Sequence, residues 1–200
     1  MKLLLFSDLH SDFRAAAKLI QLSAEVDVVV GAGDFCNVRR GLEDIIQALS
    51  QIQRPTVLVP GNAENDKELN HACRLWKKAF VLHGKLATID GIQFYGIGGG
   101  IPVTPFGSWS FDLTEEQAKK LLQDCPFGGV LLSHSPPKGL LDLSSDGRSL
   151  GSTAVKEAIE AKQPRLVVCG HIHGSAGQVE RMDQTTVVNA GPRGIIWDLE

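Results

Sequence analysis

The sequence predicts an α/β fold in which two mixed β-sheets pack face to face as a sandwich flanked by helices, and three observations predict it. Short apolar runs rich in Val, Leu and Ile alternate with amphipathic stretches from residue 2 to residue 59. The C-terminal segments read as strands separated by tight turns, with no helix between them. Five of the apolar runs stop at Asp, Asn or His. Apolar runs of this length are too short for core helices, and strands buried on both faces carry continuous rather than alternating hydrophobicity.

The elements follow in order. Residues 2–6, 26–30 and 56–59 read as buried strands, with helices over 13–24 and 41–52 between them, which gives a β-α-β-α-β order and a largely parallel sheet. A third helix is expected over about residues 65–79. A fourth starts at Thr114, where Thr114-Glu115-Glu116-Gln117 has the spacing of a capping box, which satisfies otherwise unpaired amides at a helix start. Residues 86–97, 129–132 and 166–169 supply further strands. The tail strands 177–182, 185–189 and 194–198 are expected to form the antiparallel end of the second sheet.

Composition narrows the class. The 200 residues suit one domain, spanning 1–200, large enough to bury a core. A 43% apolar and 22% charged chain with a net charge of -3 has the balance of a soluble globular protein. No clustered basic stripe argues for stable nucleic-acid binding, because Arg39-Arg40 and Lys77-Lys78 sit in mixed surroundings. The opening apolar run ends at Ser7-Asp8, too early for a signal sequence, and no run nears the roughly 20 residues of a membrane span, so a cytoplasmic protein is expected. Cys36, Cys73, Cys125 and Cys169 form no CxxC pair and read as reduced structural thiols.

The chemistry sits at the strand ends. The first three strands run into Asp8-Leu9-His10, Gly33-Asp34 and Gly61-Asn62, and the later ones into His134 and Gly170-His171-Ile172-His173. In open α/β sheets the carboxyl ends of the strands converge on the ligand site, so these side chains are expected to meet. His10, His134, His171 and His173 are four of the six histidines in the chain. Imidazole and carboxylate together suit borderline divalent metals such as Mn, Fe, Zn, Ni or Co. A serine nucleophile fits less well, since none of Ser7, Ser133 and Ser135 sits in a Gly-x-Ser-x-Gly elbow.

In order along the chain, Asp8-Leu9-His10, Gly33-Asp34, Gly61-Asn62-Ala63-Glu64, Ser133-His134-Ser135-Pro136-Pro137 and Gly170-His171-Ile172-His173 resemble the blocks of the calcineurin-like metallophosphoesterase family. The resemblance implies a four-layer αββα sandwich and two divalent metal ions, with manganese the preferred choice. It assigns Asp8, His10 and His173 to one ion and Asn62, His134 and His171 to the other, with Asp34 bridging both. It further implies in-line attack on a phosphate ester by a shared hydroxide, with Asp34, Asn62 and His134 as the catalytic set. Four positive charges from two ions, less two for Asp8 and Asp34 and one for a hydroxide, favour a phosphodiester monoanion over a dianionic monoester.

One position departs from the family pattern: Ala63 stands where the family carries His, and a general acid is typically worth about 10²–10⁴-fold. Glu64 thereby loses its usual partner. These features, with Gly139 and Asp142 after the His134 block, resemble phosphodiesterase-like branches of the family. Asn37, Arg39 and Trp109 are candidate substrate contacts, Trp109 by stacking a nucleotide base, although the rings of Phe106, Trp109 and Phe111 equally suit anchoring their own loop. Gly96-Ile97-Gly98-Gly99-Gly100 lacks the Lys-Ser/Thr ending of a P-loop and reads as a flexible turn. His71, His83 and the segment Asn189-Ala190-Gly191-Pro192 read as structural. The expected partner is a small phosphate ester or nucleotide, and self-association is compatible with everything above. The alternatives are a scaffold that keeps the fold without turnover and a phosphomonoesterase.

Overall fold

A computed structural model describes residues 1–199. Its elements, in chain order, are β1 (Lys2–Phe6), α1 (Phe13–Leu22), β2 (Val28–Gly31), α2 (Leu42–Leu49), β3 (Thr56–Leu58), α3 (Asp66–Ala72) and β4 (Ala79–Val81). The second half follows with β5 (Lys85–Ile89), β6 (Ile92–Ile97), α4 (Glu115–Leu122), β7 (Val130–Ser133), α5 (Thr153–Lys162), β8 (Leu166–Cys169), β9 (Val179–Met182), β10 (Thr185–Asn189) and β11 (Ile195–Asp198). They build a five-stranded sheet, β11-β1-β2-β3-β4, and a six-stranded sheet, β5-β6-β7-β8-β10-β9.

Side-chain alternation in the strands divides the apolar residues among three cores. Leu3 and Leu5 of β1 face inward with Val28, Val30 and Val57, where they meet Phe94, Val130, Leu132, Leu166 and Val168 of the second sheet. Leu4 and Phe6 point the other way, onto Leu19 of α1, Ile45, Ile46 and Leu49 of α2 and Leu69 of α3. On the outer face of the second sheet, Leu131 and Val167 pack against Ala118 and Leu122 of α4 and Val155 and Ile159 of α5. Successive strand residues point to opposite faces, so a strand buried on both faces feeds two cores at once. The four-layer arrangement expected from the sequence is the one observed.

Several boundaries differ from expectation, each for a physical reason. The third helix stops at Ala72, tightens into a 3₁₀ turn at Cys73–Leu75, and Ala79–Val81 then adds a short parallel strand beside β3. The segment 86–97 is a hairpin, because Asp90 and Gly91 take positive φ and fold β5 back on β6. Helix α5 was not foreseen; its buried face is Ala154, Val155, Ala158 and Ile159, half of it alanine, which gives a weak periodic signal. The tail divides between the sheets: β10 runs parallel to β8, β9 closes antiparallel on β10, and β11 leaves to pair antiparallel with β1. The fourth helix begins as expected, with Thr114 and Gln117 forming both bonds of the capping box. Among the described residues no helix is long and apolar enough to cross a membrane.

Candidate metal centre

The parallel strands deliver their C-terminal ends to one place. The loops leaving β1 and β2 are tied to each other there: Asp8 N donates to Gly33 O at 2.9 Å and His10 N to Asp34 O at 3.0 Å. Four of the gathered residues hold left-handed backbone conformations, Asp8 (φ 53), His10 (φ 46), Asp34 (φ 55) and His171 (φ 65). Non-glycine residues with positive φ carry strain, and such residues concentrate at functional sites. Gly61 has no alternative at its position, because a Cβ there would lie 2.0 Å from Asp34 Oδ1.

Asp8, His10, Asp34, Asn62, His134, His171 and His173 are brought together as the strand-end argument requires. Asp34 stands between two histidines, with Oδ2 3.7 Å from His10 Nε2 and Oδ1 3.5 Å from His134 Nε2. Asn62 Oδ1 lies 3.2 Å from His134 Nε2. His10 Nε2 and His173 Nε2 face each other at 3.1 Å, and His173 Nε2 is 3.7 Å from Asp8 Oδ1. The rings of His134 and His171 meet edge to face, with centroids 4.9 Å apart. Two triplets, Asp8-His10-His173 and Asp8-Asp34-His134, have their ligand atoms within 4.8 Å of one another. Imidazole nitrogens and carboxylate oxygens turned toward a common space are a donor set that fits divalent cations.

The groups behind the ligands fix their orientation. His134 Nδ1 donates to Ala32 O at 2.7 Å, which places the proton on Nδ1 and leaves Nε2 as the free donor atom. Asn62 Nδ2 donates to Ser110 Oγ at 3.1 Å, so Oδ1 is the atom turned to the site. Asp8 accepts from Ser7 Oγ at 2.5 Å and from the His171 amide at 3.0 and 3.1 Å. Asn189 Nδ2 holds Gly170 O at 3.2 Å and Ile172 O at 3.0 Å, bracing the loop that carries His171 and His173.

Electrostatics follow from burial and charge in close quarters. Burial pushes the Asp8 carboxyl upward, but the His173 hydrogen bond, the His134 charge and the Ser7 hydroxyl outweigh it and bring the pKa to about 2. Burial and the adjacent His134 charge depress His171 to about 3, so its ring is neutral and available as a ligand. Burial also works against the charged form of His134, yet the Asp34 and Asp8 carboxylates raise it. The hydrogen bond to Asp8 raises His173.

Glu64 has no histidine beside it, as the sequence implies, yet its carboxylate is fully engaged. It has not lost its purpose beside Ala63: the fully buried carboxylate accepts from Gly61 N (2.7 Å), Asp34 N (2.9 Å), Cys36 N (3.3 Å) and Phe35 N (3.4 Å), pinning the Asp34 loop to the Asn62 loop. Burial and the Asp34 carboxylate push its pKa to about 7 against those amide donors. Ala63 is itself buried and donates its amide to Asp34 Oδ1 at 2.8 Å. The sequence holds no local signal for Glu64's role, since most of its donors lie about thirty positions away.

Two clefts meet at His10 and His173. One, of about 390 Å³, is lined by Asp34, Asn62, Phe106, Trp109, Ser144, Leu150 and His171. The other, of about 600 Å³, is lined by Asp8, Ala176, Gly177, Ala190, Gly191, Pro192, Arg193 and Ile195. Of the candidate substrate contacts, Trp109 faces the first cleft and stacks on Phe106 at 5.5 Å. The side chains of Asn37 and Arg39 are engaged elsewhere. Asn37 Nδ2 donates to His10 O at 2.6 Å, while Arg39 pairs with Glu68 (2.6 Å) and donates to Trp109 O (2.6 Å), anchoring the aromatic loop. The glycine run is a crowded contact rather than a flexible turn: a Cβ at Gly98 would lie 2.3 Å from Pro60 O, and one at Gly100 2.4 Å from Asp112 Oδ1. His83 accepts from Gly98 N at 3.1 Å, and His71 lies exposed near Glu43.

Comparison with known proteins agrees with this geometry. The calcineurin-like phosphoesterase family profile matches residues 1–175. The human metallophosphoesterase domain-containing protein 1 is 34% identical over 140 residues, covering 66% of this chain and 39% of the human protein. The Caenorhabditis elegans UPF0046 protein K07C11.7 is 28% identical over 186 residues, covering 82% of this chain and 62% of the worm protein. The chain thus spans about two-fifths of one relative and three-fifths of the other. Among solved structures, TT1561 of Thermus thermophilus superposes with a TM-score of 0.77 at 22% identity over 95% of this chain and 88% of that one. A structure described as a novel archaeal phosphodiesterase gives 0.57 at 16% identity over 96% and 84%, a likeness of fold. With the profile spanning all five strand-end blocks, whose candidate ligands gather where strands of both sheets end, the chain belongs to the calcineurin-like phosphoesterase family.

Proposed function

We propose that the protein is a phosphodiesterase that works with two divalent metal ions, manganese first among the candidates. The observation that carries the reading is Asp34, whose two carboxylate oxygens each face a different histidine, Oδ2 toward His10 and Oδ1 toward His134. Asp8, His10 and His173 would hold one ion, Asn62, His134 and His171 the other, with Asp34 shared. When bound, such ions neutralise charge on the phosphoryl oxygens and lower the pKa of water.

The protein's own contribution is preorganisation. Ala32, Ser110 and Ser7 fix the donor atoms of His134, Asn62 and Asp8 before any ligand arrives, so no reorientation is needed on binding. Ala63 places no proton donor beside the leaving group, which favours esters whose leaving group departs unaided. Arg39 is engaged by Glu68 and the Trp109 carbonyl, so it offers no second positive charge for a dianionic monoester. The Trp109-Phe106 pair, with interplanar angle 16°, gives one cleft a flat wall suited to a planar group such as a base.

The test compares bis(p-nitrophenyl) phosphate with p-nitrophenyl phosphate on manganese-loaded protein, with Asp34→Ala as control. Turnover of the diester above the control, and above the monoester, is expected. Metal binding without turnover of either compound would sink the reading and favour the scaffold that Ala63 keeps in view. Faster monoester turnover would make the protein a phosphomonoesterase.

A further inference from the structure

Arg193 stands alone in the cleft of about 600 Å³ that opens beside Asp8, His10 and His173. Its other lining groups are Ala176, Gly177, Ala190, Gly191, Pro192 and Ile195, none of which carries charge. Arg193 is exposed, and no hydrogen bond or ion pair engages its guanidinium among the described residues. Arg39, Arg54, Arg74 and Arg148 each have a partner.

The turn that presents Arg193 is held firmly against the metal centre. Gly191 N donates to Ser7 Oγ at 2.9 Å and Gly191 O accepts from Ser7 N at 2.9 Å, while the same Ser7 hydroxyl donates to Asp8 at 2.5 Å. Pro192 restricts the backbone before Arg193. Gly194 (φ 80) follows it, where a Cβ would lie 2.7 Å from Leu19 Cδ2. One residue, Ser7, therefore fixes both a metal ligand and the turn that bears the guanidinium.

A diester has two arms leaving one phosphorus, and two clefts of unlike chemistry meet at His10 and His173. The first has an aromatic wall at Phe106 and Trp109 with Leu150 beside it. In the second, beyond Asp8, His10 and His173 at its inner end, Arg193 is the one charged group of the lining. We propose that the Arg193 cleft is a subsite for a negatively charged arm of the substrate, a terminal phosphate on a nucleotide-type diester, while the other arm lies against Trp109. The inference rests on the phosphodiesterase reading for the scissile group and extends it to the substrate class. A guanidinium presents a planar fork that matches a phosphate monoester in two contacts.

The test uses the dinucleotide ApA and its 5′-phosphorylated form pApA, which share one scissile linkage and differ by the terminal phosphate. Manganese-loaded wild-type protein is expected to show a KM for pApA roughly tenfold below that for ApA, the size of one well-placed charge-assisted contact. Arg193→Ala should abolish that preference, and Arg193→Lys should restore part of it. Binding of the hydrolysis-resistant phosphorothioate-linked pair, followed by calorimetry, gives the same comparison without turnover. Equal affinity of wild-type protein for both members of the pair, or a preference that survives Arg193→Ala, overturns the subsite. A binding preference that depends on Arg193 in a protein that cleaves neither dinucleotide upholds the subsite, and failure to turn over bis(p-nitrophenyl) phosphate is the separate result that overturns the diesterase.

Discussion

The two halves of the candidate metal centre are built differently. Around His134 the side chain is wholly buried, Asp34 is 6% exposed, and carbonyl and hydroxyl partners lock each donor atom in advance. Around His173 the side chain is 63% exposed and His10 is 30% exposed. Their orientation rests on each other and on Asp8, with His10 Nδ1 a long 3.3 Å from Cys36 O. The difference teaches that one half is part of the protein core and the other part of its surface. A cation in the first half should be held tightly and exchange slowly, and one in the second should exchange freely.

The largest expected effect joins the halves. Asp34→Ala removes the carboxylate whose two oxygens face a histidine of each half, and diester turnover should fall on the order of 10³-fold, given the several kcal/mol that metal ions supply to the transition state. Steady-state kinetics and metal analysis check it; loss of a single ion with turnover intact would break the idea of a shared ligand. A sharper contrast pairs His134→Ala with His173→Ala in metal-free protein. The first should lower the unfolding free energy by about 2 kcal/mol, because a buried ring hydrogen-bonded to Ala32 O is lost. The second should leave denaturant midpoints unchanged while still weakening metal binding. Equal losses of stability would erase the distinction between core and surface halves.

Ser7→Ala tests the exposed half from behind. It removes the donor to Asp8 and the acceptor for Gly191, and losses of this kind cost roughly 10–100-fold in metal affinity. Metal titration should show one ion weakened and the other retained. The smallest effect concerns the loop that carries Ser144 and Leu150 along the aromatic cleft. Burial pushes Asp142 upward, but donors from Gly139, Ser149 and Gly151 outweigh it and hold its carboxyl below the usual range. A carboxyl with a lowered folded-state pKa adds stability that is full above its unfolded value and is lost as pH falls through the folded one. Melting temperatures should therefore drop for the wild type as pH falls below about 4, and drop less for Asp142→Asn.

Much of the centre was legible because each ligand ends a buried strand, and such strands announce themselves as uninterrupted apolar runs. Asp8, Asp34, Asn62, His134 and His171 could be placed together from that pattern alone. The rest depended on contacts distant in sequence. Nothing near Glu64 signals that its carboxylate will gather amides from two loops, and nothing in the tail signals that β11 will leave its neighbours for β1. The strand at Ala79–Val81 has three residues beside a helix end, too few to compete with helical periodicity. Arg39 reads as a substrate contact from its closeness to Asp34, yet its partners are Glu68 and Trp109.

The pairing of β11 with β1 bears on how the protein folds. Lys2 lies opposite Asp198 and Leu5 opposite Ile195, so β1 completes its ladder only with a strand far along the chain. Until then β1 presents an open edge, and the Ser7-Gly191 clasp behind Asp8 cannot form. Contacts so distant along the chain slow folding, because the loop between them must close before they contribute. The Asp8 side of the candidate site therefore takes shape only once β11 has paired with β1 and the Gly191 turn is in place.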